Sequence, residues 1–316
     1  YWKPDLALIA ESEIWPVTIL ELGARQMPQV LVNGRLSDRS FRNWRKRPHL
    51  AEALFENMSL VIAQSDVDAE RFRILGARPV TVSGNLKVDT LPPPFDEAEY
   101  EKLKQWIGDR QVWAAVSTHA GEEDIAADVH QSLKASHKAL TIIVPRHPER
   151  ADDVEEMLEA RGLVTARRSR GDVITAETQV YLGDTIGEMG LYLNLSQIAF
   201  VGRSLTSTGG QNPLEPAMCD CVILSGRNIQ NFRDSYRSLI KNGGARLVND
   251  GETLAKSVEF LMSNRRASDK MRAAARKTVE ELSGALPRTI MALEPYINPL
   301  TVKAELRHEP GRKPKW

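Results

Sequence analysis

The sequence predicts an α/β protein of two Rossmann-like domains facing a cleft. Short apolar runs of strand length alternate with longer amphipathic stretches along the 316 residues. Runs that are apolar throughout suit strands buried on both faces, the condition of parallel sheets covered by helices. Three consecutive prolines in "LPPPF", Leu91–Phe95, divide the alternation into two halves. Proline cannot donate to a ladder and stiffens the chain, so a domain boundary falls there.

In the first half, Leu6–Ala10 reads as a buried strand, followed by a helix from Pro16 to Leu22 with the proline tolerated in its first turn. Val30–Val32 is the next strand. Ser37–Ser40 then offers a cap for a helix carrying Phe41 and Trp44. Leu60–Ala63 is a strand, Asp66–Leu75 a helix stopped by Gly76, and Val80–Val82 a strand. In the second half the strands are Val112–Val116, Leu140–Val144, Val180–Leu182, Ile198–Val201 and Cys221–Leu224, with helical stretches between most of them.

The 42 basic and 42 acidic residues cancel, so the overall charge gives no reason to expect a nucleic-acid partner. The two cysteines, Cys219 and Cys221, stand two apart on an expected strand. There they rarely bridge each other, so free thiols in a reducing compartment are expected. No apolar run approaches the ~20 residues of a membrane helix. The chain opens at Tyr1 without a Met, directly before a strand, which reads as a start in mid-protein.

In open α/β sheets ligands bind at the carboxyl ends of strands, so chemistry is sought in the loops that follow them. After Leu140–Val144, "PRHPER" displays Arg146 and His147 on a proline-fixed loop. The planar fork of Arg suits a phosphate or carboxylate; the alternative is a helix entry with surface charges. His147 could ligate a metal, but no second cluster has metal-ligand spacing, and no metal is expected. After Val180–Leu182, "GDTIGEMGLYLNLS" either sets backbone groups against a base edge or is a plain capped helix, Glu188 complementing the dipole.

After Ile198–Val201, "GRSLTSTGGQNPLEP" is a loop dense in hydroxyls and glycine that feeds a helix at Pro213. Free N–H groups at such a place attract anions, and glycine lets backbone approach a phosphate. Glu215, early in the helix, would accept hydroxyl hydrogen bonds from a ribose carried by that phosphate. A tight turn with a dipole-stabilising Glu is the alternative.

In the first half, "AESEIWP" sets Glu11 and Glu13 two apart. An extended segment would turn both to one face for acid–base work, although one could cap the Pro16 helix. "VNGRLSDRS" places Asn33, Arg35 and Ser37 after a strand, and "SGNLKVD" places Asn85, Lys87 and Asp89 before the linker, with a cation toward the cleft.

The strings "AESEIWP", "VNGRLSDRS", "GNLKVD", "STHAGEE", "PRHPER", "DTIGEMGLY" and "GGQNPLEP" closely resemble, in order, those of the bacterial 3-deoxy-D-manno-octulosonic acid (Kdo) transferases, covering residues 1 to about 235. The resemblance implies a GT-B glycosyltransferase. It would transfer Kdo from CMP-Kdo to the lipid A precursor with inversion, at the cytoplasmic face of the inner membrane, peripherally or through an N-terminal anchor. No cofactor, metal or nucleic acid is implied. Residues 1–92 would be the remainder of the acceptor-side domain, 93–285 the CMP-sugar domain, and 286–316 a C-terminal helix and basic tail.

On the donor, the resemblance implies roles for Pro145, Arg146 and His147, for Ile186, Gly187, Glu188 and Met189 around the base, and for Ser204, Gly209, Gly210, Asn212 and Glu215 at the phosphate and ribose. Glu11, Glu13 and Arg35 would face the acceptor, and Asn33, Lys87 and Ser117 would line the cleft. The main general base is expected upstream of Tyr1, in a segment this chain lacks. Two departures stand out: Gly202-Arg203-Ser204 where the family has Gly-Gly-Ser, and Gln211 where His is frequent. Another sugar-nucleotide enzyme of the same fold, such as a UDP-sugar transferase or epimerase, and a non-catalytic nucleotide-sugar binder are the alternatives.

Overall fold

The structure, a computed structural model, describes residues 4–89, 91–133 and 137–307. The chain forms two compact units: Tyr1–Thr90 with Leu282–Trp316, and Leu91–Glu281.

Unit 1 holds a four-stranded parallel sheet of β1 (Ala7–Ala10), β2 (Gln29–Gly34), β3 (Leu60–Ala63) and β4 (Val80–Val82), paired in sequence order. Between the strands run α1 (Pro16–Ala24), α2 (Asp38–Arg45), α3 (Pro48–Phe55) and α4 (Asp66–Ile74). Ser37 and Ser65 cap α2 and α4 by accepting the N–H groups of Ser40 and Asp68. One core groups Leu31 and Val61 with Ile19, Leu54, Phe55 and Phe72. Truncating Phe55 or Phe72 to Ala would cost about 3–5 kcal/mol.

A second apolar cluster joins Val30, Leu60 and Ile62 to Leu293. Leu293 lies in α13 (Ala285–Arg307). The C-terminal helix expected from 286 as a separate segment therefore belongs to unit 1, because it buries this leucine against the sheet. Tyr296 Oη donates to Ser59 O at 2.7 Å, and Arg288 Nε to Ser83 O at 2.7 Å. Asp89 secures the start of the helix, accepting the N–H of Gly284 at 2.6 Å and that of Leu286. Apart from Arg307, the basic tail lies outside the described residues.

Unit 2 holds a seven-stranded parallel sheet. Its strands are β5 (Gln111–Thr118), β6 (Ala139–Pro145), β7 (Thr165–Arg167), β8 (Val180–Leu182), β9 (Ile198–Val201), β10 (Val222–Ser225) and β11 (Ala245–Leu247). The order is β11-β10-β9-β5-β6-β8-β7. The helices are α5 (Glu97–Ile107), α6 (Glu122–Leu133), α7 (Ala151–Ala160), α8 (Met189–Asn194), α9 (Leu214–Met218), α10 (Arg233–Lys241), α11 (Gly251–Ser263) and α12 (Arg265–Leu282). The core contains Trp113, Ile143, Leu182, Phe200 and Leu224, inward from successive strands.

Cys219 and Cys221 are free and buried, but they flank a turn rather than share a strand, with Asp220 at φ 57°. Burial pushes the Cys219 thiol up to about 11. Among the described residues no helix is long and apolar enough to cross a membrane.

Candidate functional site

The order of the larger sheet singles out one place. The chain builds outward from β5 to β6 on one side, then returns to lay β9 against the other side of β5. Strand order reverses there, and in open α/β sheets ligands bind beyond the carboxyl ends of the strands at such a place.

Backbone strain collects at such strand ends. Among the described residues six non-glycine residues have positive φ, and four follow or close strands: Glu11 (56°) after β1, Asn33 (53°) in β2, Ser117 (53°) in β5 and Arg203 (54°) after β9. Left-handed backbone is costly for a side chain other than Gly or Asn and persists where surrounding contacts enforce it. At Ser117 the crowding partner is Gly202. A Cβ on Gly202 would lie 2.6 Å from Ser117 O and 2.8 Å from a carboxylate oxygen of Glu122, so only glycine lets the two strand ends meet.

Glu122 is fully buried in the first turn of α6. One carboxylate oxygen accepts the N–H groups of His119 at 3.0 Å and Arg203 at 2.6 Å; the other accepts those of Ser204 at 2.8 Å and Leu205 at 3.0 Å. Glu123, beside it and also buried, accepts the Thr118 hydroxyl at 2.9 Å and both arms of Arg150 at 2.8 and 3.3 Å. Two consecutive carboxylates thus tie together the loops that leave β5, β6 and β9. Sequence reasoning assigned neither a role, although "STHAGEE" contains both.

The β6 loop follows from this bracing. Pro145 is buried, and the Arg146 N–H donates to Thr118 O at 3.0 Å. The Arg146 side chain is exposed and, among the described residues, its guanidinium has no hydrogen-bond or ion-pair partner. His147 is exposed, 3.2 Å from Glu149, with its ring edge-on to His119 at 5.7 Å. Among the described residues no group of His, Cys, Asp or Glu is arranged to hold a metal ion.

The loop after β9 departs from its expected design. Ser204 is buried and points inward: its hydroxyl donates to Val201 O at 2.6 Å and accepts the Gly226 N–H at 2.8 Å. The N–H groups of Gly209 and Gly210, expected to point outward, donate to Gln230 Oε1 at 3.0 Å and Arg203 O at 2.9 Å. A Cβ on Gly210, at φ 74°, would lie 2.6 Å from Asn228 O, so the glycine admits the neighbouring 228–231 backbone. Arg203 braces the same turn, donating from Nε to Thr208 O at 3.0 Å. Beyond it, Asn212 accepts the Leu214 N–H at 3.1 Å and donates to Glu215 Oε1 at 3.2 Å. Glu215 is half-buried, so its carboxylate keeps acceptor capacity toward solvent.

After β8, Ile186 is 88% exposed and Gly187 has φ 87°. Met189 opens α8. The Glu188 carboxylate is engaged internally: Arg168 donates to it from Nη2 at 2.6 Å and Nε at 3.0 Å, as does the Thr185 hydroxyl. Arg168 also pairs with Glu99 at 2.6 Å. The Arg168 bonds, with that of Thr185, hold the Glu188 carboxyl below the usual carboxylate range against the opposing effect of burial. Beside it, burial acts to raise the Asp184 carboxyl, but hydrogen bonds from Ser169 and Arg167 outweigh it and hold the group low. The Glu188 carboxylate is thus occupied by partners within unit 2.

In unit 1 the structure gathers Glu11, Asn33, Arg35 and Lys87. Lys87 Nζ lies 2.7 Å from Glu11 Oε1, Asn33 Oδ1 accepts the Leu86 N–H at 3.0 Å, and the Arg35 N–H donates to Glu11 O at 3.2 Å. The "ESE" segment is a turn, not an extended run: Glu13 N–H donates to Ala10 O at 3.1 Å. Glu13 therefore leaves Glu11 and accepts the Trp15 indole N–H at 2.9 Å.

A family profile described as 3-deoxy-D-manno-octulosonic-acid transferase (kdotransferase) matches residues 1–90. A 3-deoxy-D-manno-octulosonic acid transferase of Haemophilus influenzae is 34% identical over 93% of this chain and 70% of its own length. The chain belongs to the 3-deoxy-D-manno-octulosonic acid transferase family. It spans 56 to 70% of the length of the first curated relatives it matches. Among solved structures, the C-terminal CMP-Kdo binding domain of WaaA from Acinetobacter baumannii is 34% identical, with TM-score 0.55, over 58% of this chain and 96% of that one. A putative UDP-N-acetylglucosamine 2-epimerase from Listeria monocytogenes shares the fold over 93% of this chain and 75% of its own, at 15% identity and TM-score 0.59. Family and architecture agree with the GT-B arrangement of paired α/β domains expected of a Kdo transferase.

Proposed function

We propose that this chain passes Kdo from CMP-Kdo to a lipid A precursor, unit 2 holding the nucleotide sugar and unit 1 contributing to the acceptor side. The observation that carries the reading is the exposed Arg146 at the β5/β6 strand ends, without a side-chain partner among the described residues, in a unit whose relative of known structure is described as binding CMP-Kdo. Arg146 presents two parallel donors to a phosphate or carboxylate, and the donor sugar nucleotide carries both groups. Glu215 offers acceptor capacity to a ribose diol, and Ile186 an apolar surface to a base edge.

The transfer is a displacement. The acceptor hydroxyl oxygen bonds to the anomeric carbon from the face opposite the leaving group, and the bond from that carbon to the CMP phosphate oxygen breaks. The electron pair stays on the phosphate, where a fixed cation stabilises it as the charge develops. The hydroxyl proton passes to a carboxylate on the acceptor side. Glu11, held by Lys87, is our candidate for an acceptor contact beside that base.

For the membrane surface that carries such an acceptor, unit 1 offers exposed Arg39, Arg42, Arg45, Lys46 and Arg47 along and just after α2, with Phe41 and Trp44 packed inward. Each cation near an anionic leaflet is worth about 1 kcal/mol. Peripheral binding at the cytoplasmic side of the inner membrane is therefore part of the proposal.

The test is titration calorimetry with CMP, UMP and UDP, with a transfer assay using CMP-Kdo and lipid A precursor. CMP is expected to bind more tightly than the uridine nucleotides. Preference for UDP, or turnover of a UDP-sugar without acceptor, overturns the assignment.

A further inference from the structure

The backbone N–H groups of Arg203, Ser204 and Leu205 converge on one point after β9, as the amides of an anion-binding nest do. That point is already filled by the carboxylate of Glu122, which also accepts the N–H of His119 from the β5 loop. All four bonds are 3.0 Å or shorter, and the group is 0% exposed. A buried carboxylate is an acceptor only, with about four lone-pair sites, and here backbone donors meet four of them. The alternative, four converging amides facing one another without an acceptor, would leave them unsatisfied at a cost.

We infer that Glu122 is a positioning residue of the donor site: it acts as a built-in anion that locks the loop after β9 to the loop after β5, so that the 209–215 segment and its Glu215 are presented in a fixed place. The inference rests on the reading of unit 2 as a CMP-sugar site. Three further observations join it to that site. The Arg203 carbonyl accepts the Gly210 N–H at 2.9 Å, so the clamped residue holds the glycine pair directly. Arg203 Nε reaches Thr208 O at 3.0 Å, closing the same turn. Gly202 leaves no room for a Cβ between Ser117 and Glu122, so the clamp and the strained Ser117 form one packed unit. Arg203 thus belongs to the scaffold of the loop.

Gln and Asp replacements separate this role from simple space filling. Gln is the closer in shape, but it turns one acceptor oxygen into an NH2 donor facing two N–H groups. Asp keeps the acceptor-only carboxylate and falls one methylene short. If Glu122 acts as an anion, E122D retains more CMP affinity than E122Q; if it only fills space, the order reverses.

The experiment measures CMP affinity by calorimetry and amide hydrogen exchange at residues 203–205 for the full chain, E122D and E122Q. The expected result is tenfold or greater loss of CMP affinity in E122Q, a smaller loss in E122D, and faster exchange at 203–205 in the same order. A wild-type chain that binds no CMP overturns the donor reading, and this inference with it. A wild-type chain that binds CMP, with E122Q equal to it or better than E122D, overturns the positioning role alone. Should E122Q fail to fold, E122D decides: faster exchange at 203–205 with weaker CMP binding supports the role, and faster exchange with unchanged binding overturns it.

Discussion

Arg168 grips Glu188 with two nitrogens, Nη2 at 2.6 Å and Nε at 3.0 Å, while its remaining arm holds Glu99 at 2.6 Å. One guanidinium from the segment after β7 thereby fixes the loop after β8 to helix α5. Both carboxyls are held low, in each case chiefly by the Arg168 hydrogen bond.

That arrangement predicts an acid-sensitive unit 2. Each carboxyl binds protons less readily folded than unfolded. The stability it contributes is therefore complete above the unfolded value of about 4.3 and lost as pH falls through the lower folded value. Glu188→Gln should lower stability at pH 7 and flatten its decline on acidification. Denaturant unfolding from pH 7 down to pH 3 checks this; parallel curves for the variant and the parent would refute it.

Glu215 is assigned to the ribose. Glu215→Ala should weaken CMP binding by about 1.5–3 kcal/mol, the worth of a hydrogen bond to a charged group, or roughly ten- to hundred-fold. Asn212 loses a partner in this variant, so circular dichroism should accompany the calorimetry. An unchanged Kd in a folded variant would remove Glu215 from the site.

Arg146 separates fork from charge. If it pairs with phosphate or carboxylate through two parallel N–H groups, Arg146→Lys keeps the cation and loses the geometry. Donor affinity should fall about tenfold or more, with no change in thermal unfolding, because the side chain has no partner among the described residues. Near-parental binding by the Lys variant would show that charge alone suffices.

Asp89→Ala strips the start of α13 of its acceptor. Cap losses cost about 0.5–2 kcal/mol, and a carboxylate at a helix N-terminus adds a dipole contribution. Hydrogen exchange should quicken in the first turns of α13 and leave unit 2 unaffected. Equal exchange in the two proteins would show that Arg288, Leu293 and Tyr296 hold the helix without help.

Much of the fold was legible because parallel strands are apolar throughout. Leu60–Ala63, Val180–Leu182 and Ile198–Val201 are strands at the bounds their apolar runs predict. Thr165–Arg167 and Ala245–Leu247 are not predicted, since edge strands of three residues with a central or terminal Arg carry no apolar run. Helix α3 was hidden by the basic stretch before Pro48.

The loops at the strand ends were found from sequence, but not what each residue does there. The amides of Ser204 and Gly209 look free in the sequence because their acceptors, Glu122 and Gln230, lie 82 and 21 residues away along the chain. Glu188 looked like a dipole charge because Arg168 was not foreseen beside it. Local pattern reports where a loop lies; partners brought in by topology decide which of its groups remain unsatisfied.

Because α13 packs on the sheet of unit 1, that unit is made from two stretches of chain with all of Leu91–Glu281 translated between them. During synthesis at about 5–20 residues per second, the ribosome spends about 10–40 s on the intervening span. Throughout that interval Val30, Leu60 and Ile62 wait without Leu293, and Asp89 without its helix. Unit 2, continuous in sequence, can mature as soon as it emerges. Vectorial folding therefore runs against the order of the gene: the half translated first is completed last, and its half-covered sheet is what a nascent-chain chaperone would meet.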